Sequence, residues 1–403
     1  MWSGYALCPD QRRIGELLAS HTGAMRDGDE PRRVCKNSCS IASAHAGRIC
    51  LSENDASNQW LHTILERFYA SLQHVEQENY DFTRYGRGRE NVFDASFHAG
   101  QMMLLSQARD AFFSARMLLS DEASRQLYDL LILFRLAGHL HIRLPRSDSG
   151  YWKAVAAIER QRKGDAPETG AFGPLHFFEL TIPQDRIRVK CWDVNVLTSF
   201  AFRQYFYERD GVRIQPEPGD TALDLGACFG DTALAFASSV GEGGHVHTFD
   251  FMPLHAKILQ QNLQMNPHLL NRVSFHEFGV GAADSKPKNP SARTAIDPGA
   301  QINLDSVTIR SIDSLVAAGE IQRVDFIKMD IEGAELDALK GGVETLRRFK
   351  PKLAISLYHR PEDFVVIPQF LASLGLGYEF HLDHYTIHAE ETVLYAAAKT
   401  RGD

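Results

Sequence analysis

The 403-residue chain contains no uninterrupted apolar run near the roughly 18 residues that a bilayer-spanning helix needs, so no membrane span is expected. The opening residues, MWSGYALCPDQRR, lack the apolar core of a secretory signal, and the expected location is the cytoplasm. Positive charge is also short. Lys and Arg number 43 against 51 Asp and Glu, a net charge of -8. Such a balance offers no broad basic surface to a phosphate backbone, and nucleic acid is not an expected partner. Cysteine is scarce, six in all, which suits reduced thiols better than a disulfide framework. Cys8, Cys35, Cys39 and Cys50 crowd the start with His45 among them, but their spacings match no paired-ligand zinc pattern, and no metal is expected there.

What is present is ordinary globular material: 44% hydrophobic and 23% charged residues, in a chain long enough for two units. Residues 1–55 are polar and aperiodic and read as an irregular extension. Residues 56–190 read as a mainly helical unit and a linker. WLHTILERFYASLQHV places Trp60, Leu61, Ile64, Leu65, Phe68 and Leu72 at helical spacing, and Phe97 to Leu119 repeats the habit. Ser120 can cap a further helix, with Asp121 and Glu122 in its first turn and an end near Gly138. Residues 145–190 carry much Pro, Gly and charge, which predicts an irregular bridge, and a last helix is expected from Val194. Residues 191–403 form the third unit. After Pro218 the runs TALDL, HVHTFD, RVSFHEFGV, DFIKMD, KLAISLYH, YEFHLD and TVLYAAA read as strands, most of them separated by helices. This is the pattern of an α/β fold with a mostly parallel sheet and helices on both faces, whose ligands lie over the carboxyl ends of the strands.

The run TALDLGACFGDT, from Thr221 to Thr232, is a buried strand, a glycine turn and a helix start, the arrangement that presents backbone to a nucleotide-like cofactor. The following strand ends on Asp250, about 20 residues past the second glycine, where a carboxylate can take both hydroxyls of a ribose. The turn, Gly226-Ala227-Cys228-Phe229-Gly230, departs from the dinucleotide spacing. The flanking carboxylates Asp224 and Asp231 would repel a pyrophosphate, yet they suit the amino group and positive sulfonium of S-adenosylmethionine. That cofactor is expected in preference to NAD.

A second constellation lies in KMDIEGAELDALKGG, from Lys328 to Gly342. Lys328 and Asp330 point to one side of a strand that closes at the level of the cofactor turn. Glu332 and Glu335 open the next helix, where acidic groups favour its dipole. KLAISLYH delivers His359 to the same edge. Histidine titrates near neutrality, which marks His359 as the candidate base for a hydroxyl, with Asp330 orienting it or the acceptor hydroxyl and Lys328 and Glu332 shaping or charge-balancing the pocket. Asp330, Glu332 and His359 could instead hold a divalent cation for adjacent hydroxyls. Tyr151, Trp152, Tyr205 and Tyr358 are either faces for a sugar or core.

DLGACFGDT, TFDFMP, VTIRSIDSL and above all FIKMDIEGAELDALKGG followed by KPKLAISLYH resemble the FkbM-type methyltransferases over about residues 190–398. LLSDEASRQLYDLLILFRLAG is similar to the helical leader of longer members. The resemblance implies a class I, Rossmann-like, seven-stranded fold preceded by a helical domain. It also implies methyl transfer from S-adenosylmethionine to an oxygen of a sugar, polysaccharide or natural-product acceptor. Asp224, Gly226 and Gly230 match that family's cofactor turn, with Ala227 between them, and Asp231 and Thr232 match its continuation. Asp250 stands where most members carry Glu, and two residues, Phe251 and Met252, are inserted before Pro253. Phe278 and Gly279 correspond to adenine contacts, and His359 to a common histidine. The helical extension is expected either to cover the active site or to form a homodimer contact, and a non-catalytic scaffold built on the same fold is an open alternative.

Overall fold

The computed structural model describes residues 53–77, 79–81, 95–170, 173–183, 185–287 and 307–399. The cysteines at 8, 35, 39 and 50, His45 and nearly all of the expected irregular extension lie outside these residues. The apolar spacing from Trp60 onward folds as α1 (Glu53–Ser71), which buries Trp60, Ile64 and Phe68. The next helical stretch divides at Ala108 into α2 (Ala95–Gln107) and α3 (Arg109–Leu118). Helix α4 (Glu122–Ala137) is capped by Asp121 rather than Ser120. The Asp121 carboxylate accepts from the Ser124 N–H at 2.7 Å, which satisfies one of the orphan donors of the first turn. Ser120 pairs with Phe380 instead, its N–H bonding the Phe380 carbonyl and its Oγ accepting the Phe380 N–H at 2.9 Å.

The expected bridge is ordered structure. After α5 (Ser149–Gln161), strands β1 (Gly164–Gly170), β2 (Gly173–Ile182) and β3 (Asp185–Cys191) form an antiparallel meander. Its glycines stand at strand ends and most of its charges on the outer face, while Leu175, Phe178, Ile187, Val189 and Cys191 are buried together with Lys190, which pairs with Glu168 at 3.0 Å. A compositional average over the whole stretch hides that alternation. The helix expected from Val194 is short: α6 (Asp193–Asn195) continues as a π-turn over Val196–Ala201 and stops. Beyond it, β4 (Tyr207–Arg209) and β5 (Val212–Ile214) form a hairpin turned by Asp210 and Gly211, both at positive φ, as an Asp-Gly turn prefers.

The remaining elements alternate: β6 (Thr221–Leu225), α7 (Asp231–Val240), β7 (His245–Phe249), α8 (Pro253–Met265), α9 (Pro267–Leu270), β8 (Val273–His276), β9 (Gly279–Val280), β10 (Ile309–Arg310), α10 (Ile312–Ala317), β11 (Phe326–Met329), α11 (Glu335–Lys340), α12 (Val343–Phe349), β12 (Lys352–Ser356), α13 (Asp363–Ser373), β13 (Tyr378–His384) and β14 (Thr392–Ala398). RVSFHEFGV, read as one strand, splits because β9 leaves the main sheet to pair with β10. The main sheet has seven strands in the order β13-β14-β12-β11-β6-β7-β8, and β14 alone among them is reversed. This is the expected doubly wound sheet with a helical leader.

Successive residues of the central strands enter two different cores, as the pleat requires. Leu223, Leu225, Ile327, Met329, Leu353 and Ile355 share one core with Ile64, Phe112, Leu131 and Phe134 of the leading helices. Ala222, Phe326, Ala354 and Tyr395 join β3, α7 and α8 in the other. Each fully buried side chain of the Leu or Phe class contributes about 1.5–3 kcal/mol, so the leading helices are held to the sheet by its own core. The chain leaves β6 toward β7 and β8, then returns across it to β11 and β12. The crossing point lies above the carboxyl ends of β6 and β11, where an open sheet of this kind forms its crevice.

Candidate active site

The glycine turn is fixed from both neighbouring strands. The N–H groups of Gly226 and Ala227 both donate to Phe249 O of β7, each at 3.0 Å. Gly226 has φ +85°, and a Cβ there would stand 1.8 Å from Asp330 O at the end of β11. Cys228 takes a left-handed φ of 48°, and its N–H donates to Asp250 Oδ2 at 2.9 Å. Burial first, then the charges of Asp231 and Asp250, raise the Cys228 thiol and keep it neutral. Gly230, also left-handed, opens α7 against Leu259.

Asp224, placed by the sequence beside the cofactor's positive groups, lies beneath the turn and is fully buried. Its Oδ2 accepts from Thr232 Oγ1 at 2.8 Å and Thr248 Oγ1 at 3.0 Å, and its Oδ1 faces Lys328 Nζ at 3.2 Å. The register that pairs Lys328 with Asp224 puts both on one face of the sheet. Lys328 Nζ donates to Gly226 O at 2.6 Å and Leu225 O at 3.3 Å, so this ammonium ties down the turn from below. Burial alone would lower its pKa, but Asp224 first, then Asp330, raise it. Asp231 is buried as well, accepting from Ser199 Oγ at 2.5 Å and Asn195 Nδ2 at 3.2 Å, and burial lifts its carboxyl to about 6. Neither carboxylate opens on the crevice; both build the turn.

At the end of β7, Asp250 Oδ1 accepts the Met252 N–H at 2.8 Å, while its Oδ2 also meets His255 Nδ1 at 3.0 Å. The half-buried Phe251 packs on Gly279, where a Cβ would come within 3.3 Å of its ring. Phe278 stands beside Phe249 with the Arg310 guanidinium 5.7 Å from its ring centre. The structure therefore gathers Asp250, Phe251, Phe278 and Gly279 at one edge. A carboxylate with acceptor capacity left and two half-buried aromatic rings fit an adenosine.

Across the turn, Asp330 is held by two phenols that residue patterning alone could not place. Tyr205 O–H donates to its Oδ2 at 2.8 Å and Tyr358 O–H to its Oδ1 at 2.9 Å. Burial, then the Asp330 charge, keep both phenols protonated. His359 is enclosed, its side chain only 1% exposed, with Nδ1 2.8 Å from Glu335 Oε1 and Nε2 3.2 Å from Asp330 Oδ1 and 3.3 Å from Glu332 Oε2. Burial would lower its pKa, but Glu335 first, with Asp330 and Glu332, raise it far above the usual imidazole range. Against the raising effect of burial, His359 holds Asp330 well below the carboxylate range. Glu335, read as a helix-dipole acid, is fully buried instead, and its Oε1 also accepts the Ile331 N–H at 2.9 Å.

Glu332 differs from its neighbours. It takes a left-handed φ of 61°, a strained conformation for a residue with a Cβ, and its side chain keeps 53% of its surface open. Desolvation of its carboxyl first, then the charges of Asp330 and Glu335, lift it to about 7 against the pull of His359. One ligand atom each of Asp330, Glu335 and His359 lie within 4.8 Å of one another, so a cation set would use Glu335 in place of the expected Glu332. A proton on His359 already balances those carboxylates. His255 carries no motif signal; only its place in the first turn after Asp250 could have marked it.

The sequence model of the methyltransferase FkbM domain matches residues 224–380, from the end of strand β6 into β13. No curated protein matches the chain. Among solved structures, it is similar to a methyltransferase FkbM from Methylobacillus flagellatus KT, with 21% identity over 72% of this chain and 59% of that one and a TM-score of 0.47. It therefore spans less than two thirds of that protein's length. A fibrillarin from Aeropyrum pernix with natively bound S-adenosyl-L-methionine aligns at 14% identity over 56% of this chain and 90% of its own, with a TM-score of 0.33. A SAM-dependent O-methyltransferase from Thermotoga maritima aligns at 14% identity over 47% and 62%, with a TM-score of 0.27.

Proposed function

We propose, on the match of residues 224–380 to the methyltransferase FkbM domain, that this chain transfers a methyl group from S-adenosylmethionine to a hydroxyl oxygen of a sugar, polysaccharide or natural-product acceptor. The observation that supports this most is the closeness of Gly226 to Asp330 O, which sets the cofactor turn and the acceptor-side carboxylates along one edge. Asp250 would hold the ribose, and Phe251 and Phe278 the adenine. The bound cofactor supplies a methyl group already activated on a sulfonium, so the protein must align an acceptor and receive its proton.

Histidine chemistry alone gives that proton to His359. In this structure both its nitrogens face carboxylates, and its part in the proposal is to carry the positive charge that keeps Asp330 and Glu335 ionised. Glu332, open and near neutral in pKa, is the group suited to receive the proton. Asp330, fixed by Tyr205 and Tyr358, orients the acceptor. With three carboxylates gathered here, an uncharged hydroxyl is favoured over a phosphorylated acceptor.

Calorimetric titration with S-adenosylmethionine and S-adenosylhomocysteine, with NAD as control, tests the cofactor. Asp250→Ala is expected to weaken both adenosyl ligands roughly 10- to 100-fold, the loss of hydrogen bonds to a charged group. Failure of folded wild-type protein to bind either would overturn the reading. Turnover on a panel of neutral glycosides is expected to rise with pH through about 7, because the deprotonated Glu332 is the working form. Glu332→Gln should flatten that rise and slow turnover by about 100-fold or more. A profile unchanged in the variant would remove Glu332 from the role.

A further inference from the structure

The ribose edge holds a histidine that the reaction above does not use. His255 lies in the first turn of α8 with Nδ1 3.0 Å from Asp250 Oδ2, its ring edge-on to Phe229 at 5.2 Å and 24% of its side chain open. A carboxylate offers about four lone-pair positions. On Asp250 this chain fills three: the Cys228 N–H and His255 Nδ1 on Oδ2, and the Met252 N–H on Oδ1. One position on Oδ1 is left. A ribose presents two adjacent hydroxyls, so Asp250 in this setting can accept from one of them. The imidazole beside it has an Nε2 with no partner among the described residues.

On the reading of this edge as an adenosyl-cofactor site, we propose that His255 is a second ribose-binding residue, sharing the two hydroxyls with Asp250 so that Oδ1 takes one and His255 Nε2 bonds the other. The inserted Phe251 and Met252 and the short Asp side chain fit this division. Met252 N–H occupies Oδ1, and Asp250 cannot turn toward both hydroxyls without giving up Cys228 N–H, which fixes the glycine turn. Burial by itself would lower the pKa of His255. Asp250 first, with Glu332 and Asp231, raises it. With Nδ1–H directed at the Asp250 carboxylate, Nε2 of the neutral ring accepts from a ribose hydroxyl and that of the protonated ring donates to it, so either form makes the bond.

The test is calorimetry with S-adenosylhomocysteine, adenosine and 2′,3′-dideoxyadenosine on wild type, His255→Ala, His255→Asn and His255→Gln. Asn can replace the donor to Asp250 but lacks the reach of Nε2, whereas Gln has that reach. Expected are a loss of about tenfold in S-adenosylhomocysteine affinity for the Ala and Asn variants, recovery in the Gln variant, and no change for dideoxyadenosine. Wild-type binding of S-adenosylhomocysteine with His255→Ala within about twofold of it would overturn the role of His255 and leave the proposed function standing. So would an equal loss for adenosine and dideoxyadenosine. Absence of adenosyl binding by wild type would overturn both.

Discussion

Lys328→Met should destabilise the protein by about 3–5 kcal/mol, the cost of removing one partner of a buried ion pair and leaving the other charge without compensation. Lys328 and Asp224 are 2% and 0% exposed, 3.2 Å apart, under the turn that the ammonium also bonds through Gly226 O and Leu225 O. Methionine fills much of the lysine stem's volume, so the loss reports the charge and its hydrogen bonds rather than a cavity. Adding Asp224→Asn should recover part of the loss, because no uncompensated carboxylate then remains. The folded pKa of Lys328 is raised, so its contribution is fully present below the unfolded value of about 10.4 and is lost only as pH climbs through the higher folded value. Lys328 itself does not titrate below about pH 10, so its own contribution is constant from about pH 6 to 9. Urea midpoints measure this. A single variant within about 1 kcal/mol of wild type would show that the pair does not hold the turn.

Gly226→Ala is the second large effect, and it falls on the cofactor. The added Cβ would meet a backbone oxygen, Asp330 O, at 1.8 Å, and the residue would keep a φ of +85°. The left-handed conformation alone costs about 1–2 kcal/mol with a Cβ present. The collision cannot be relieved by a rotamer change, because both partners are main chain; the turn or the end of β11 has to move by about an ångström, a displacement that costs catalytic sites about 100-fold. Adenosyl-ligand affinity should fall on that scale, together with the melting temperature. Gly230→Ala is the comparison, since its Cβ would meet the Leu259 side chain at 2.9 Å, and a side chain can yield. Binding by Gly226→Ala within about threefold of wild type would show that the turn has slack the packing does not suggest.

The sheet was legible because each strand writes its own signature. TALDL and TVLYAAA coincide with β6 and β14 residue for residue, and most of the other runs differ from their strands by one to three residues at an end. The meander from Gly164 to Cys191 was not legible, since its glycine, proline and charge dominate the composition while the alternation that makes strands is short. The helix cap shows the same limit on a smaller scale: Ser120 and Asp121 are both good caps, and the pairing of Ser120 with Phe380, 260 residues away, decides between them.

At the site, the sequence by itself determined which residues reach the carboxyl edge. Strand length, the glycine turn and helix starts are set by neighbours in the chain, and they bring Gly226, Asp250, Phe278, Asp330 and His359 to one level. Only the tertiary structure decided what those residues face. The register of β11 on β6 turns Asp224 onto Lys328 and away from the crevice. Tyr205 reaches Asp330 across 125 positions, and Glu335 turns inward onto His359. The physical reason is that a side chain's charge state is fixed by whatever lies within a few ångströms, and that company is assembled by sheet order rather than by adjacency in the chain.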